Sequence, residues 1–358
     1  MMLATVLKRS RFTYLALLFL LPLLAVGNAL AVDRLYSTRV EVADQGPEAR
    51  QQAFREALSR TVIKLSGDRS AAQHPAVEQA ARRAERLVQR FDYAEERAVE
   101  GGLQRILNVH FDRQALNRLL LDADIAFWGR ERPDVLVWLA METEGQRRMV
   151  GQSDRQDVTD FILTAEERGL HVFLPLLDLE EQRRVPEAEL WGGYTDGVAE
   201  MAFRYGVETF LVGRLTQQAT GSYSARWELH DHHHSEVWRD GPAMALDSLL
   251  KEGAHQLSDR LGARYSVRGT PADSAPQRVV VHGVNTSQDY ARALRHLRQL
   301  SMVDAVSLVS AVEDRLEVNV SMAIGEGSRL VDAVRFGQVL QPIGGREGAG
   351  ALEFRMMP

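Results

Sequence analysis

Cysteine is missing from all 358 residues, and lysine occurs only as Lys8, Lys64 and Lys251. Without a thiol the chain can form no disulfide, offers no thiolate nucleophile, ligates no metal through sulfur and has no cysteine for a lipid anchor. Positive charge rests on arginine, a planar fork of donors rather than a point charge. The 43 Lys and Arg are outnumbered by 49 Asp and Glu, a formal charge of −6, which argues against a nucleic-acid partner. Neither Gly-x-Ser-x-Gly nor Gly-x-x-x-x-Gly-Lys occurs, so a nucleophile elbow and a phosphate loop are both excluded. Gly325-Glu326-Gly327-Ser328 lacks the flanks of an elbow. Acidic pairs such as Glu166-Glu167 and Glu180-Glu181 read as solvated faces.

One long apolar run is present, at the start. Lys8, Arg9 and Arg11 precede an apolar stretch from Phe12 to Val26, and Ala29-Leu30-Ala31 supplies a small-x-small cleavage site before Val32. The stretch is shorter than the roughly 20 residues a spanning helix needs, and Pro22 and Asn28 interrupt its end. Residues 1–31 therefore read as a signal peptide cleaved after Ala31, which places the mature chain in the periplasm with no membrane span. The alternative is an uncleaved segment anchoring the chain in the inner membrane.

The remainder divides by pattern into α+β and α/β units. Residues 32–125 form a small α+β domain: an alternating strand from Arg34 to Val42, a helix from Ala53 to a stop at Gly67, a second helix from Ala76 to Arg90, a strand from Leu103 to Phe111, and a last helix capped by Asp112. Residues 126–268 read as a three-layer α/β domain. Its apolar runs Val135–Ala140, Val172–Leu177 and Val207–Val212 alternate with helices near 155–168 and 186–205, which predicts mostly parallel strands; a hairpin (Tyr223–Leu229, Glu236–Arg239) and a long helix (Met244–Tyr265) follow. Residues 269–277, rich in Gly, Pro, Ser and Ala, read as a linker. Residues 278–358 run β-α-β-β-α-β, the order of a ferredoxin-like module.

Chemistry is best sought by position. In an open parallel sheet, ligands bind outside the carboxyl ends of the strands, where this chain carries Glu142, Asp178 and Arg214. Trp128, Arg130, Arg132 and Trp191 in the neighbouring loops complete an aromatic and guanidinium set suited to a sugar, a carboxylate or another protein. The bland alternative pairs Asp178 with Arg214 structurally and uses Trp191 as a plug for the core. His230, His232, His233 and His234 form a second cluster of metal-ligand type; at a hairpin tip they read as a solvated turn. No cofactor is implied.

Four stretches carry a resemblance. "RQQAFREALSRTVIKLSG" from Arg50, following Glu41-Val42-Ala43-Asp44, "FWGRERPDVLVWLA" from Phe127, the span from "LPLLDLEE" to "LWGGY" (174–194), and "YGVETFLVGRL" from Tyr205 together resemble family 2066 of the domains of unknown function, exported envelope proteins of Gram-negative bacteria. Membership implies a signal-bearing envelope protein and no assigned activity. The middle unit is also similar, in strand and hairpin order, to envelope lipoproteins such as the curli secretion channel and the activator of penicillin-binding proteins, without their lipid-bearing cysteine. The leading expectation is a non-catalytic binding or assembly module whose partner is an envelope protein or a cell-wall component. A hydrolase or transferase built on Glu142, Asp178 and Arg214, or a metal-handling protein built on the histidines, are the alternatives.

Overall fold

The computed structural model describes residues 34–97, 101–231, 234–268, 276–322, 327–337, 339–343 and 350–357. The expected signal peptide lies outside them, as do His232, His233 and most of the expected linker. Among the described residues no helix is long and apolar enough to cross a membrane.

Pro47, pre-set for helical φ, opens α1 (Pro47–Ser66), which turns Phe54, Ala57, Leu58, Val62 and Leu65 onto a three-stranded antiparallel sheet. The helix ends at Gly67, whose φ of +73° suits glycine and whose N–H caps the carbonyl of Ile63. The sheet order is β1 (Ser37–Glu41), β3 (Leu103–Phe111), β2 (Val88–Arg97). The expected helix from Ala76 to Arg90 is a correction: α2 stops at Ala81 (Pro75–Ala81), and Val88 onward pairs with β3. Phe91 and Tyr93 alternate there at strand spacing. Asp112 caps α3 (Arg113–Asp122) by accepting from the Ala115 N–H at 2.7 Å.

The middle domain is mixed α/β in three layers. Its sheet runs β5 (Gln146–Val150), β4 (Val135–Thr143), β7 (Thr209–Gln217), β8 (Tyr223–Asp231), β9 (His234–Met244), with the short β6 (Val172–Phe173) beside the start of β4. Strands β4, β6, β7 and β9 run one way; β5 and β8 run the other. Strand β4 is buried on both sides, as its unbroken apolar run requires. Val135, Val137 and Leu139 pack under α4 (Thr159–Glu167) and α8 (Leu246–Tyr265). Leu136, Trp138 and Ala140 pack under the opposite layer of α5 (Leu179–Arg184), α6 (Glu187–Gly192) and α7 (Asp196–Arg204). Trp227 seals the first face. Its ring lies so close over Gly213 and Gly253 that a β-carbon on either would come within 2.5 Å and 2.4 Å of it, and its indole N–H donates to Asp240 at 2.9 Å.

The C-terminal module holds α9 (Ser287–Gln299) and α10 (Gly327–Arg335) on a sheet ordered β11 (Val303–Val312), β12 (Arg315–Met322), β10 (Gln277–His282), β14 (Leu352–Met356), β13 (Leu340–Pro342). The expected β-α-β-β-α-β order gains one strand, β13. The chain crosses from α10 to the sheet edge, then returns as β14 between β13 and β10, so the last strand runs parallel to β10.

Candidate functional site

The residues expected at one crevice fall into three places. Trp128, Arg130 and Arg132 precede β4 and so lie at its amino end, away from the carboxyl ends of the strands. There they form a junction of all three domains, a correction to their placement in a ligand-gripping loop. The Trp128 N–H donates to the Leu65 carbonyl at 2.6 Å, and its indole is buried beneath the Arg132 guanidinium, 4.2 Å away. Arg132 donates to the carbonyls of Lys64, Trp128, Gly129 and Arg168 at 2.7–2.8 Å. Burial, with the charge of Arg168 nearby, pulls its pKa down to about 9. Arg168 reaches the Gly67 carbonyl at 3.0 Å and Asp259 at 2.6 Å. The open carbonyls at the end of α1 are thus capped by groups of the middle domain, where the helix dipole is negative. Arg130 donates to the Gln299 carbonyl, Glu131 accepts from the Ser301 N–H at 3.0 Å, and Phe127 and Val267 exchange two backbone hydrogen bonds.

Residues 29–129 match the DUF8605 family, a domain of unknown function. The DUF8605 match ends with Phe127-Trp128-Gly129, so its last residues include the Trp128 N–H that caps α1. Arg130 and Arg132 lie just beyond it. No curated protein matches the chain in sequence.

Asp178 stands apart as well. It caps α5 by accepting from the N–H groups of Glu180 and Glu181, and it pairs with Arg204 at 2.8 Å. Arg204, together with those N–H groups, holds its carboxyl below the usual carboxylate range. The Asp178–Arg214 pair considered from the sequence is therefore replaced by Asp178–Arg204.

Glu142, Trp191 and Arg214 do come together, on the α5–α7 face of the sheet, with residues that sequence reasoning missed. Glu142 faces Arg147 across the β4–β5 turn at 2.7 Å, and the Arg147 guanidinium lies 4.5 Å from the Trp191 ring centre. Arg214 on β7 donates to the Trp191 carbonyl at 3.2 Å and to Glu228 on β8 at 2.9 Å. Glu228 also meets His230 at 2.8 Å, and that imidazole stacks on Phe210 at 4.6 Å. Gly193, at φ +88°, closes α6 directly over the guanidinium: a β-carbon there would stand 2.9 Å from Nη1 of Arg214. Arg214 and Glu228 are both largely buried, and the Nε–H of Arg214 has no acceptor among the described residues.

Beyond this row the helical layer stops. Arg226 and Arg239 form a register pair on the same face, and Val237, opposite Glu228, is exposed. The sheet there is an open shelf of arginine and aliphatic surface beside a half-buried tryptophan. His230 belongs to this shelf and not to the turn, whereas His234 is exposed and lies 3.5 Å from Asp231. Among the described residues no group of three metal-ligating side chains is assembled.

Proposed function

We propose that this chain is a non-catalytic accessory protein of the Gram-negative periplasm, a member of family 2066, that holds an acidic group of an envelope protein or cell-wall component on the open shelf of β8 and β9. The observation that carries the reading is Arg214: a largely buried guanidinium at the inner end of the shelf, held in place by Glu228 and the Trp191 carbonyl, with the Trp191 ring and the Arg226–Arg239 register pair beside it. Such aromatic and arginine anchors bear disproportionate binding energy. Glu142 is ion-paired with Arg147, and Asp178 caps a helix while its carboxyl is held fully ionised; neither is arranged as the acid of a general acid–base pair.

A photo-crosslinking residue placed at Val237 tests this in intact cells, with the same probe at exposed Phe91 as the control. One partner should be trapped from position 237 only. Trp191→Ala or Arg214→Ala should each lower its yield, a loss of about 2 kcal/mol for an interface anchor. Replacing His232, His233 and His234 by Ala should leave it unchanged. If Arg214→Ala melts the domain while the remaining folded protein still captures the partner normally, Arg214 is only a structural mate of Glu228 and the shelf is not the site. Export has its own check: the intact mass of envelope-derived protein should begin at Val32, and a mass retaining residues 1–31 would make it an anchored protein.

A further inference from the structure

Sheet edges expose unpaired backbone groups, and proteins blunt them with charge or proline. Most edges of this chain follow that rule. Strand β5 carries Arg147 and Arg148, β9 carries Arg239 and Pro242, and β13 ends in Pro342. Strand β11 does not. It is an outer strand ten residues long, paired only with β12 among the described residues, and from Ala305 to Val312 it has neither charge nor proline. Leu308, Val309 and Val312 on it are 52%, 43% and 64% exposed. Among the described residues the strand is blunted only by Asp304 at its start and by a pair of irregularities in register with β12, near Val303 and Leu308.

Acidic residues border this apolar edge at both ends: Asp304 on one side, Glu313 and Asp314 on the other, all exposed, the latter end staying net negative after Arg315. That arrangement selects the occupant. If a second copy paired antiparallel to β11 about the strand's midpoint, Asp304 would lie opposite Ala311, next to the acidic turn at Glu313 and Asp314, so another copy would bring acidic residues to both acidic ends. We propose that β11 accepts, as a sixth strand of the C-terminal sheet, an extended segment of another protein, aliphatic and β-branched in its middle and flanked by arginine or lysine. Main-chain hydrogen bonds would supply affinity, with the aliphatic side chains and the basic flanks supplying selection. This surface is separate from the shelf on β8 and β9, so either can fail without the other.

The test uses the full mature chain and two synthetic peptides with the same alternating Val-Thr core, one flanked by two arginines at each end and the other by two glutamates. The arginine peptide should bind at least tenfold more tightly and should slow amide exchange in β11. Val309→Lys should abolish this, and exposed Ser307→Lys should do the same if Val309→Lys disturbs folding. Combined Asp304→Lys, Glu313→Lys and Asp314→Lys should invert the preference. Equal binding of both peptides, binding of neither, or protection of β11 unaltered by the lysine variants would overturn the proposal. A dimer of the chain cross-linked through Leu308 and dissolved by Leu308→Lys would also overturn it, by making a second copy the occupant.

Discussion

Arg132 shows what an arginine-only economy of positive charge achieves. A planar fork can satisfy four carbonyls converging from three directions, which an ammonium on a flexible stem cannot. Arg132→Lys should therefore behave nearly as badly as Arg132→Met, each lowering stability by about 2 kcal/mol, because carbonyls of buried residues lose their donor. Urea denaturation measures this, and a lysine variant as stable as wild type would contradict it. His255, beside Arg168, gives a pH signature. Burial and the charges of Arg168 and Arg69 lower its pKa, and its Nδ1 lies 3.2 Å from the Arg168 guanidinium. As pH falls through about 6.5 the unfolded chain takes up the proton before the folded one, so stability should drop on acidification. His296, also depressed by burial, adds in the same direction. The slope of melting temperature between pH 7 and pH 5 should flatten in His255→Gln; an unaltered slope would remove His255 from the account.

At the scale of elements, α1 and α8 approach each other closely. Gly67 and Gly262 meet backbone to backbone, so that a β-carbon on Gly262 would stand 2.6 Å from the Gly67 carbonyl oxygen. Gly262→Ala must push the two helices apart, at about 2 kcal/mol or more, a loss readable in thermal melts. Gly67 was legible in the sequence as a helix stop, and Gly262 was not, because nothing local marks a glycine needed by a segment almost two hundred residues away. The same divide runs through the other elements. The apolar run at β4 and the helical spacing of α1 were readable because burial leaves a local period. Strand β2 was missed because Leu87 and Val88 also satisfied a helical pattern. Strand β5 was missed because Arg147 and Arg148 mask its alternation, and β13 because it is three residues long and ends in proline. For the site, position in the sheet brought Glu142, Trp191 and Arg214 within view. Glu228 and His230 were recoverable from the alternation of β8, which turns residues 226, 228 and 230 to one face; Arg147 becomes visible only once β5 is seen to fold back on β4.

At the scale of the molecule, the C-terminal module has its own core, centred on Val281, Leu297, Val318 and Phe354, which takes in Val267 of the middle domain and is fastened to the rest by polar and aromatic contacts. Arg329 donates to the Arg264 carbonyl at 2.7 Å, and Tyr265 meets Phe336 edge to face. The Gly, Pro, Ser and Ala composition of 269–277 predicts that limited proteolysis cuts there first. The two products should then co-elute, and Glu131→Ala, which removes the contact with Ser301, should let them separate on a sizing column. Initial cleavage inside 127–266 would refute the division.

The capping of α1 also imposes an order on synthesis. The helix is complete by residue 66, but the groups that close its last turn are Trp128, Arg132 and Arg168, the last of them about a hundred residues further along the chain. A chain emerging from its amino end must hold the first domain with open carbonyls until the first half of the second has followed. Residues 29–129 produced alone would keep the Trp128 cap but lose both guanidiniums, leaving that indole uncovered and the helix end bare. The first domain thus finishes folding as a dependant of the second, and its terminus in sequence is not its terminus in stability.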